Sequence, residues 1–321
     1  MAIRTAIVST PRSGNTWLRH LLATTYGIPS LAVHELAEPE WADLPAECVL
    51  QLHWRRKASF AQRLSDAGFR VITIARHPLD TLISILQYAL IDGDTHHWLH
   101  GAGGDESSLF GAMPRSRAFV KYACGPRAAE LFTVTSDWWV QPGTLHVRYE
   151  DLTADPVSAL SKLVGELGPP RVEKLADAVS RNTIDRLRPT ASNGHFWQGK
   201  PGLWKQLIPA VEAHEIAAAI PDSFSRYGYT CDPDPNLTAD AADATWVRLA
   251  GPGIRTAIAR ASAQQREQVE RAVADAQSAE MRAERAEAEL VRLRAELADV
   301  ALRRLPSRVG RAVRTKLFGM K

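Results

Sequence analysis

Thr5-Ala6-Ile7-Val8-Ser9-Thr10-Pro11-Arg12-Ser13-Gly14-Asn15-Thr16-Trp17-Leu18 decides how the rest of the chain is read. Thr5 to Val8 is a short apolar and β-branched run, and after it Trp17, Leu18, Leu21 and Leu22 recur at helical spacing. The stretch predicts a strand, a tight loop and a helix. Consecutive backbone N–H groups around a glycine, joined to a helix N-terminus, make a concave anion site. Arg12 adds a full positive charge to it, so a phosphate is expected there. A plain strand-to-helix turn capped by Asn or Ser would explain Gly14, but not an arginine inside the turn. The spacing is not G-x-x-x-x-G-K-[ST], which counts against a kinase or GTPase.

Working outward, two further units repeat this pattern. Val71-Ile72-Thr73-Ile74-Ala75 leads through Arg76-His77-Pro78 into a helix expected over about 79–90. Thr144 to Tyr149 leads through Glu150-Asp151-Leu152 into a helix expected over about 156–167. Another strand is expected in Cys48-Val49-Leu50-Gln51-Leu52-His53-Trp54, with Gln51 and His53 on one face and Leu50 and Leu52 on the other. Strands alternating with helices imply an α/β fold with a parallel sheet flanked by helices, whose ligands sit at the carboxyl ends of the strands.

Composition sets the outer bounds. The 321 residues are 45% hydrophobic and 23% charged, proportions that exclude a wholly disordered or fibrous chain. The length suits one sizeable domain plus an appendage. Cys48, Cys124 and Cys231 are odd in number and far apart, without a C-x-x-C pair, which fits a reducing cytosol. The opening residues turn polar too early for a signal peptide, and no stretch approaches the roughly eighteen apolar residues of a membrane span. A cytoplasmic protein is expected. The net charge of +3 is unevenly placed: seven cations and no carboxylate follow Leu302, leaving the remainder at −4. That counts against nucleic acid as a partner of the main domain.

After Cys231 the text becomes Asp-Pro-Asp-Pro-Asn and then an Ala, Arg and Glu-rich stretch from about Ala239. Val269, Ala272, Ala276, Ala279, Ala283, Ala286, Leu290, Leu293, Leu297 and Val300 follow the spacing of heptad a and d positions. The expected divisions are a main domain over 1–232, a linker and start of an appended helix over 233–258, a long heptad-patterned helix over 259–301, and a basic amphipathic tail over 302–321. The long helix suits a coiled-coil homo-oligomer or packing against the parent domain. The tail, with Leu305, Val309, Val313, Leu317 and Phe318 among arginines, suits peripheral contact with the inner membrane face or a solvated end.

The loop Pro11-Arg12-Ser13-Gly14-Asn15-Thr16-Trp17 resembles that of the sulfotransferases that use 3′-phosphoadenosine 5′-phosphosulfate (PAPS), P-[KR]-S-G-[ST]-x-W, with Asn15 a slight departure. Arg76-His77-Pro78-Leu79-Asp80 with Ser84 resembles their R-[NDH]-P-x-D-x-x-x-S signature. Tyr149-Glu150-Asp151-Leu152 followed by Asp155-Pro156 is similar to Y-E-D-L-x-x-D-P, and Gly199-Lys200-Pro201-Gly202-Leu203-Trp204-Lys205 to G-x-x-G-x-W-K. The four segments span about residues 4 to 230. The resemblance implies a P-loop-like sulfotransferase domain of bacterial type, PAPS as co-substrate and no metal. It places Arg12, Ser13, Gly14, Asn15, Thr16 and Trp17 around the 5′-phosphosulfate and the adenine. Arg76 and Ser84 fall at the 3′-phosphate, with Tyr149, Gly199 and Lys200 completing the cofactor site. Trp17 reads as a base-stacking platform or as an amphipathic core residue.

The resemblance also implies a histidine base on a K-x-H-like strand, and His53 is the candidate, with Arg12 assisting catalysis by stabilising the leaving phosphate. Two departures bear on donor grip. Gln51 stands where the family has lysine, and Trp197-Gln198 stand where its cytosolic branch has Arg-Lys, leaving Lys200 or Lys205 as helpers. His96, His97 and His100 lie in a Gly- and Asp-rich stretch over 92–114 that reads as a lid rather than a metal site. Trp54, Trp98, Phe110, Trp138, Trp139 and Trp197 are shared between core and acceptor pocket. The expected activity is transfer of a sulfuryl group to a hydroxyl or amine acceptor: a carbohydrate, a lipid-linked glycan or a small molecule. The alternatives are a nucleotide-dependent phosphotransferase, for which Mg²⁺ ligands and a Walker lysine are not evident, and a PAP(S)-binding protein without turnover that acts through its C-terminal helix.

Overall fold

The computed structural model describes residues 2–33, 41, 43–91, 95, 98–101, 106–190 and 196–252, with separate helical positions between 271 and 296. In chain order the elements are β1 (Arg4–Val8), α1 (Asn15–Tyr26), β2 (Ser30–Ala32), β3 (Cys48–Leu52), α2 (Ala58–Asp66), β4 (Arg70–Ala75) and α3 (Pro78–Ile91). Then come α4 (Arg117–Ala123), α5 (Pro126–Trp139), β5 (Leu145–Arg148), α6 (Tyr149–Ala154), α7 (Pro156–Leu167), α8 (Leu175–Arg181), α9 (Ile184–Leu187), α10 (Ala210–Ala219) and α11 (Pro221–Ser225). A further helix, α12, covers 239–252.

The strands form one parallel sheet in the order β2-β3-β1-β4-β5, with Arg4 opposite Cys48 and Thr5 opposite Arg70. Both faces are covered, which explains why the strands read as nearly continuous apolar runs. Ile7, Val49, Ile72 and Ile74 pack with Leu18, Leu21 and Leu22 of α1 and Leu160 and Leu163 of α7. Ala6, Val8, Leu50 and Leu52 turn to the other side and pack with Phe60 and Leu64 of α2, Leu82 and Leu86 of α3 and Leu131 of α5. The alternation along β1 splits one strand between two cores.

At the carboxyl ends β1 and β4 part, and side chains take over the hydrogen bonding. The Ile74 amide donates to Ser9 Oγ at 2.7 Å, Ser9 Oγ lies 3.3 Å from Thr73 Oγ1, and Thr73 Oγ1 donates to the Val8 carbonyl at 2.9 Å. This is the switch point of the sheet, where the chain turns from β3 on one side of β1 to β4 on the other. A crevice opens at such a point.

The first compact unit runs from Met1 to Ala257, past the domain end expected near Asp232. The reason is α12: Ala242, Trp246 and Ala250 fall four residues apart and are buried in the core. Arg115 adds a two-pronged ion pair with Asp243, at 2.9 and 2.5 Å. The second unit is Ile258–Lys321. Its described positions are helical, and Arg292 pairs with Glu296 one turn on at 3.0 Å. Of the ten heptad positions only Ala286 and Leu293 are described, and both are exposed. The basic tail over 302–321 lies outside the described residues. Among the described residues no helix is long and apolar enough to cross a membrane.

Candidate active site

The loop after β1 is built around two residues in the left-handed region, Arg12 at φ 67° and Gly14 at φ 104°. For a non-glycine residue this conformation costs on the order of 1–3 kcal/mol and persists where the surroundings enforce it. The surroundings do so here. Asn15 Nδ2 donates to the Thr10 carbonyl at 2.9 Å, the Thr10 amide to Thr135 Oγ1 at 2.8 Å, and Thr10 Oγ1 to the Leu131 carbonyl at 2.9 Å. The loop is thereby closed on itself and bolted to α5. Gly14 caps α1 without a side-chain hydrogen bond, so the cap itself supplies no acceptor to the first-turn N–H groups. A Cβ at Gly14 would stand 2.5 Å from Tyr149 Cδ2.

The residues expected at the phosphates converge. Arg12 Nε donates to Ser84 Oγ at 3.2 Å, and its guanidinium lies 4.6 Å over the Tyr88 ring. Arg76 donates to the Arg12 carbonyl at 3.2 Å and lies 4.5 Å over the ring of Tyr149. Tyr149 in turn donates to the Gly199 carbonyl at 2.8 Å. Ser13, Asn15 and Ser84 are buried, and Thr16 is half-buried. Trp17 is half-buried, donates from Nε1 to the Asn182 carbonyl at 2.8 Å and meets Tyr149 edge-on at 6.2 Å. Lys200 is exposed, and Lys205 pairs with Asp232 at 2.7 Å instead of reaching the phosphate loop.

Several residues that position the site, Asp80, His77 and Glu150 among them, lie inside the quoted motif segments, but their partners are distant in the chain and the motifs do not name those partners. Asp80 is buried and accepts from the Gly202 amide at 2.6 Å and the Trp204 amide at 3.0 Å, which pins the Gly199–Trp204 loop to α3 beside Arg76. Burial pushes the Asp80 carboxyl above its ordinary range, against the pull of Arg76 and the two amides. His77 stacks on Trp204 at 4.9 Å, and burial pushes its imidazole below the usual histidine value. Glu150 accepts from the His77 amide at 3.0 Å and from the Tyr229 hydroxyl at 2.5 Å. Ile184 crowds Gly199 so closely that a Cβ there would collide with it.

His53 follows β3 and is buried. Its Nδ1 lies 2.9 Å from the Ser9 carbonyl, which ties it to the start of the phosphate loop. Its Nε2 is 3.4 Å from Gln51 Nε2. Of the aromatics divided between core and pocket, Trp54 and Trp138 are core, with Trp138 Nε1 donating to the Trp54 carbonyl at 3.2 Å. Trp139 stacks on His146 and Trp98 on Tyr88, whereas Phe110 is 64% exposed. Trp197 meets Trp246 edge-on and donates to the Leu249 carbonyl, so the position that lost a cation holds α12 instead. His96 and His97, and the side chain of His100, lie outside the described residues. Among the described residues no cluster of metal-ligating side chains forms.

Residues 3–208 match the family model of the sulfotransferase domain, which covers all the strands and both arginines. The chain belongs to the sulfotransferase family. Solved structures similar to this sulfotransferase include mouse sulfotransferase SULT7A1 complexed with PAP, at 16% identity and a TM-score of 0.53, covering 69% of this chain and 83% of that one. Retinol dehydratase in complex with androsterone and inactive cofactor PAP follows at 14% identity and a TM-score of 0.45, over 70% of this chain and 82% of that one. The sulfotransferase domain from the curacin biosynthetic pathway is 18% identical with a TM-score of 0.32, over 75% and 95%. At these identities the likeness to mouse SULT7A1 speaks for the fold. No curated protein matches the chain.

Proposed function

We propose that this sulfotransferase transfers the sulfuryl group of PAPS to a hydroxyl or amine acceptor, with His53 as general base. One observation carries the reading: Arg76, at the end of β4, donates to the Arg12 carbonyl in the loop after neighbouring β1 and lies over Tyr149, which holds the Gly199 carbonyl, while Arg12 donates to Ser84 on α3. Two cationic grips this close suit a ligand with two phosphoryl groups, such as adenosine 3′,5′-bisphosphate. The residues fit such a ligand. Arg76 Nε is a buried donor without a hydrogen-bond partner, which a phosphate oxygen would satisfy. A solved member of the same fold is described with PAP.

When bound, PAPS supplies a sulfuryl group on an acidic leaving phosphate. His53 Nδ1 donates to Ser9, a carbonyl that can only accept, so the lone pair of the neutral ring is on Nε2. Nε2 takes the proton from the acceptor O–H while the oxygen forms a bond to sulfur. The bond from sulfur to the bridging phosphate oxygen breaks, and its electron pair stays on that oxygen. Arg12 and the loop amides hold the charge so formed. Each charge-assisted hydrogen bond of this kind contributes about 1.5–3 kcal/mol.

Labelled sulfate transfer from PAPS to a panel of hydroxylated carbohydrates, lipids and small molecules tests this. His53→Ala is expected to lower kcat about a hundred- to ten-thousandfold while leaving adenosine 3′,5′-bisphosphate bound. Transfer that survives His53→Ala would remove the histidine from the reaction. Tight ATP binding in place of the bisphosphate would favour a phosphotransferase.

A further inference from the structure

The loop that carries Gly199 has little of its own to fix its place. Gly199 and Gly202, either side of Lys200-Pro201, stand in the left-handed region at φ 65° and 75°, a conformation that glycine adopts freely. The loop is therefore held from outside, at both ends. Asp80 fixes the far end through the Gly202 and Trp204 amides. At the near end the Trp197 ring meets Trp246 of α12 edge-on at 5.9 Å, and Trp197 Nε1 donates to the Leu249 carbonyl at 3.4 Å. Arg188 adds hydrogen bonds to the Phe196 and Trp197 carbonyls, at 3.3 and 2.8 Å, from a side chain half in solvent. Trp246 is itself buried in the core, so α12 gives Trp197 the firmer anchor. Yet α12 covers 239–252, beyond the residues 3–208 that match the sulfotransferase domain.

We propose that Trp197 is a positioning residue for the donor's 3′-phosphate and that α12, through it, belongs to the donor site. The inference rests on the donor reading given above. Two residues beyond Trp197, the Gly199 carbonyl accepts from the Tyr149 hydroxyl at 2.8 Å. Tyr149 is buried, and a buried hydroxyl is costly to leave unpaired, so its ring follows that carbonyl. The Arg76 guanidinium lies 4.5 Å over the same ring. A shift of the Gly199 carbonyl is thus passed through Tyr149 to the cation at the end of β4. Undocking from α12 lets the loop swing about its two glycines, and Arg76 loses the face it rests on. Where the resemblance has Arg-Lys, this chain has Trp197-Gln198 and no charge. It replaces a direct cation with a fixed seat for one already present. Arg12 is held by Ser84 and Tyr88 on α3 instead, so the 5′-phosphate grip depends less on α12.

Calorimetric titration of the full chain with adenosine 3′,5′-bisphosphate and with 5′-AMP reads this link, because the two nucleotides differ only in the 3′-phosphate. In Trp197→Ala the bisphosphate is expected to bind about tenfold more weakly, with 5′-AMP within about twofold of wild type. Trp197→Phe, which keeps a ring against Trp246 but has no N–H for Leu249, should recover most of the loss. In turnover, donor KM is expected to rise about tenfold in Trp197→Ala with kcat nearly unchanged, the signature of an interaction made equally in the ground and transition states. Urea titration checks that each variant is folded. Should Trp197→Ala fail to fold, Trp246→Phe alters the same contact from α12 with the loop sequence intact, and should narrow the ratio between the nucleotides in the same direction. An unchanged ratio in a folded variant, or equal weakening of both nucleotides, overturns the proposal while the donor reading stands. A wild type that binds the two nucleotides equally overturns the donor reading and this inference with it.

Discussion

Arg12 and Gly14 show how much a single backbone conformation decides. Both stand at positive φ, and only the glycine lacks a side chain to clash with Tyr149. Gly14→Ala adds a methyl where Tyr149 Cδ2 would be 2.5 Å away, so either the Tyr149 ring or the loop must move. Thermal unfolding should show a loss of about 1–3 kcal/mol, and adenosine 3′,5′-bisphosphate binding should weaken at least tenfold as the amides lose their common focus. A variant that binds as well as wild type would show that the loop does not depend on this glycine. Arg12 and Gly14 stand out in the sequence because an arginine inside a glycine turn is not explained by helix capping alone, whereas Arg76 and His53 are singled out only by their place beside that loop and by the resemblance. Asp80 was not legible in its role. An acid four residues after an arginine looks like a helix first-turn carboxylate, and its true partners, the amides of Gly202 and Trp204, are more than a hundred residues away.

At the level of elements, strand, loop and helix units came through because each has its own period. The helix expected over about 79–90 is Pro78–Ile91, and the one expected over about 156–167 is Pro156–Leu167. The short edge strand Ser30–Ala32 and the helices at Leu175–Arg181 and Ile184–Leu187 have too few residues to show a period, and tertiary packing makes them. The loop Gly199–Trp204 is an element of this dependent kind. Asp80 holds its two amides, so Asp80→Ala leaves two buried N–H groups unpaired and frees the loop from α3. Donor KM is expected to rise more than tenfold with a smaller change in the KM for acceptor, since the acceptor side is proposed to lie at His53. Equal loss on both substrates would mean that Asp80 supports the whole domain rather than this loop.

For the whole molecule, the parallel sheet with both faces covered was readable from the runs of apolar residues, but the end of the domain was not. The Ala-rich text after Ala239 resembles the long helix that follows it, and Trp246 is the one bulky apolar residue that marks where packing continues. Truncation after position 238 removes that buried tryptophan and the Arg115–Asp243 pair, and should lower stability by about 3–5 kcal/mol or abolish folding, whereas truncation after Ala257 should leave the first unit cooperative in a urea titration. Equal midpoints for the two truncated proteins would place α12 outside the stable core. The central claim is that Arg12 and Arg76 together grasp two phosphoryl groups of one adenylate. Calorimetric titration with adenosine 3′,5′-bisphosphate and with 5′-AMP, on wild type and on Arg76→Gln, tests it most directly. Binding of the bisphosphate at least a hundredfold tighter than 5′-AMP, with that advantage lost in Arg76→Gln, is the predicted result. Equal affinity for the two nucleotides in the wild-type protein would contradict it.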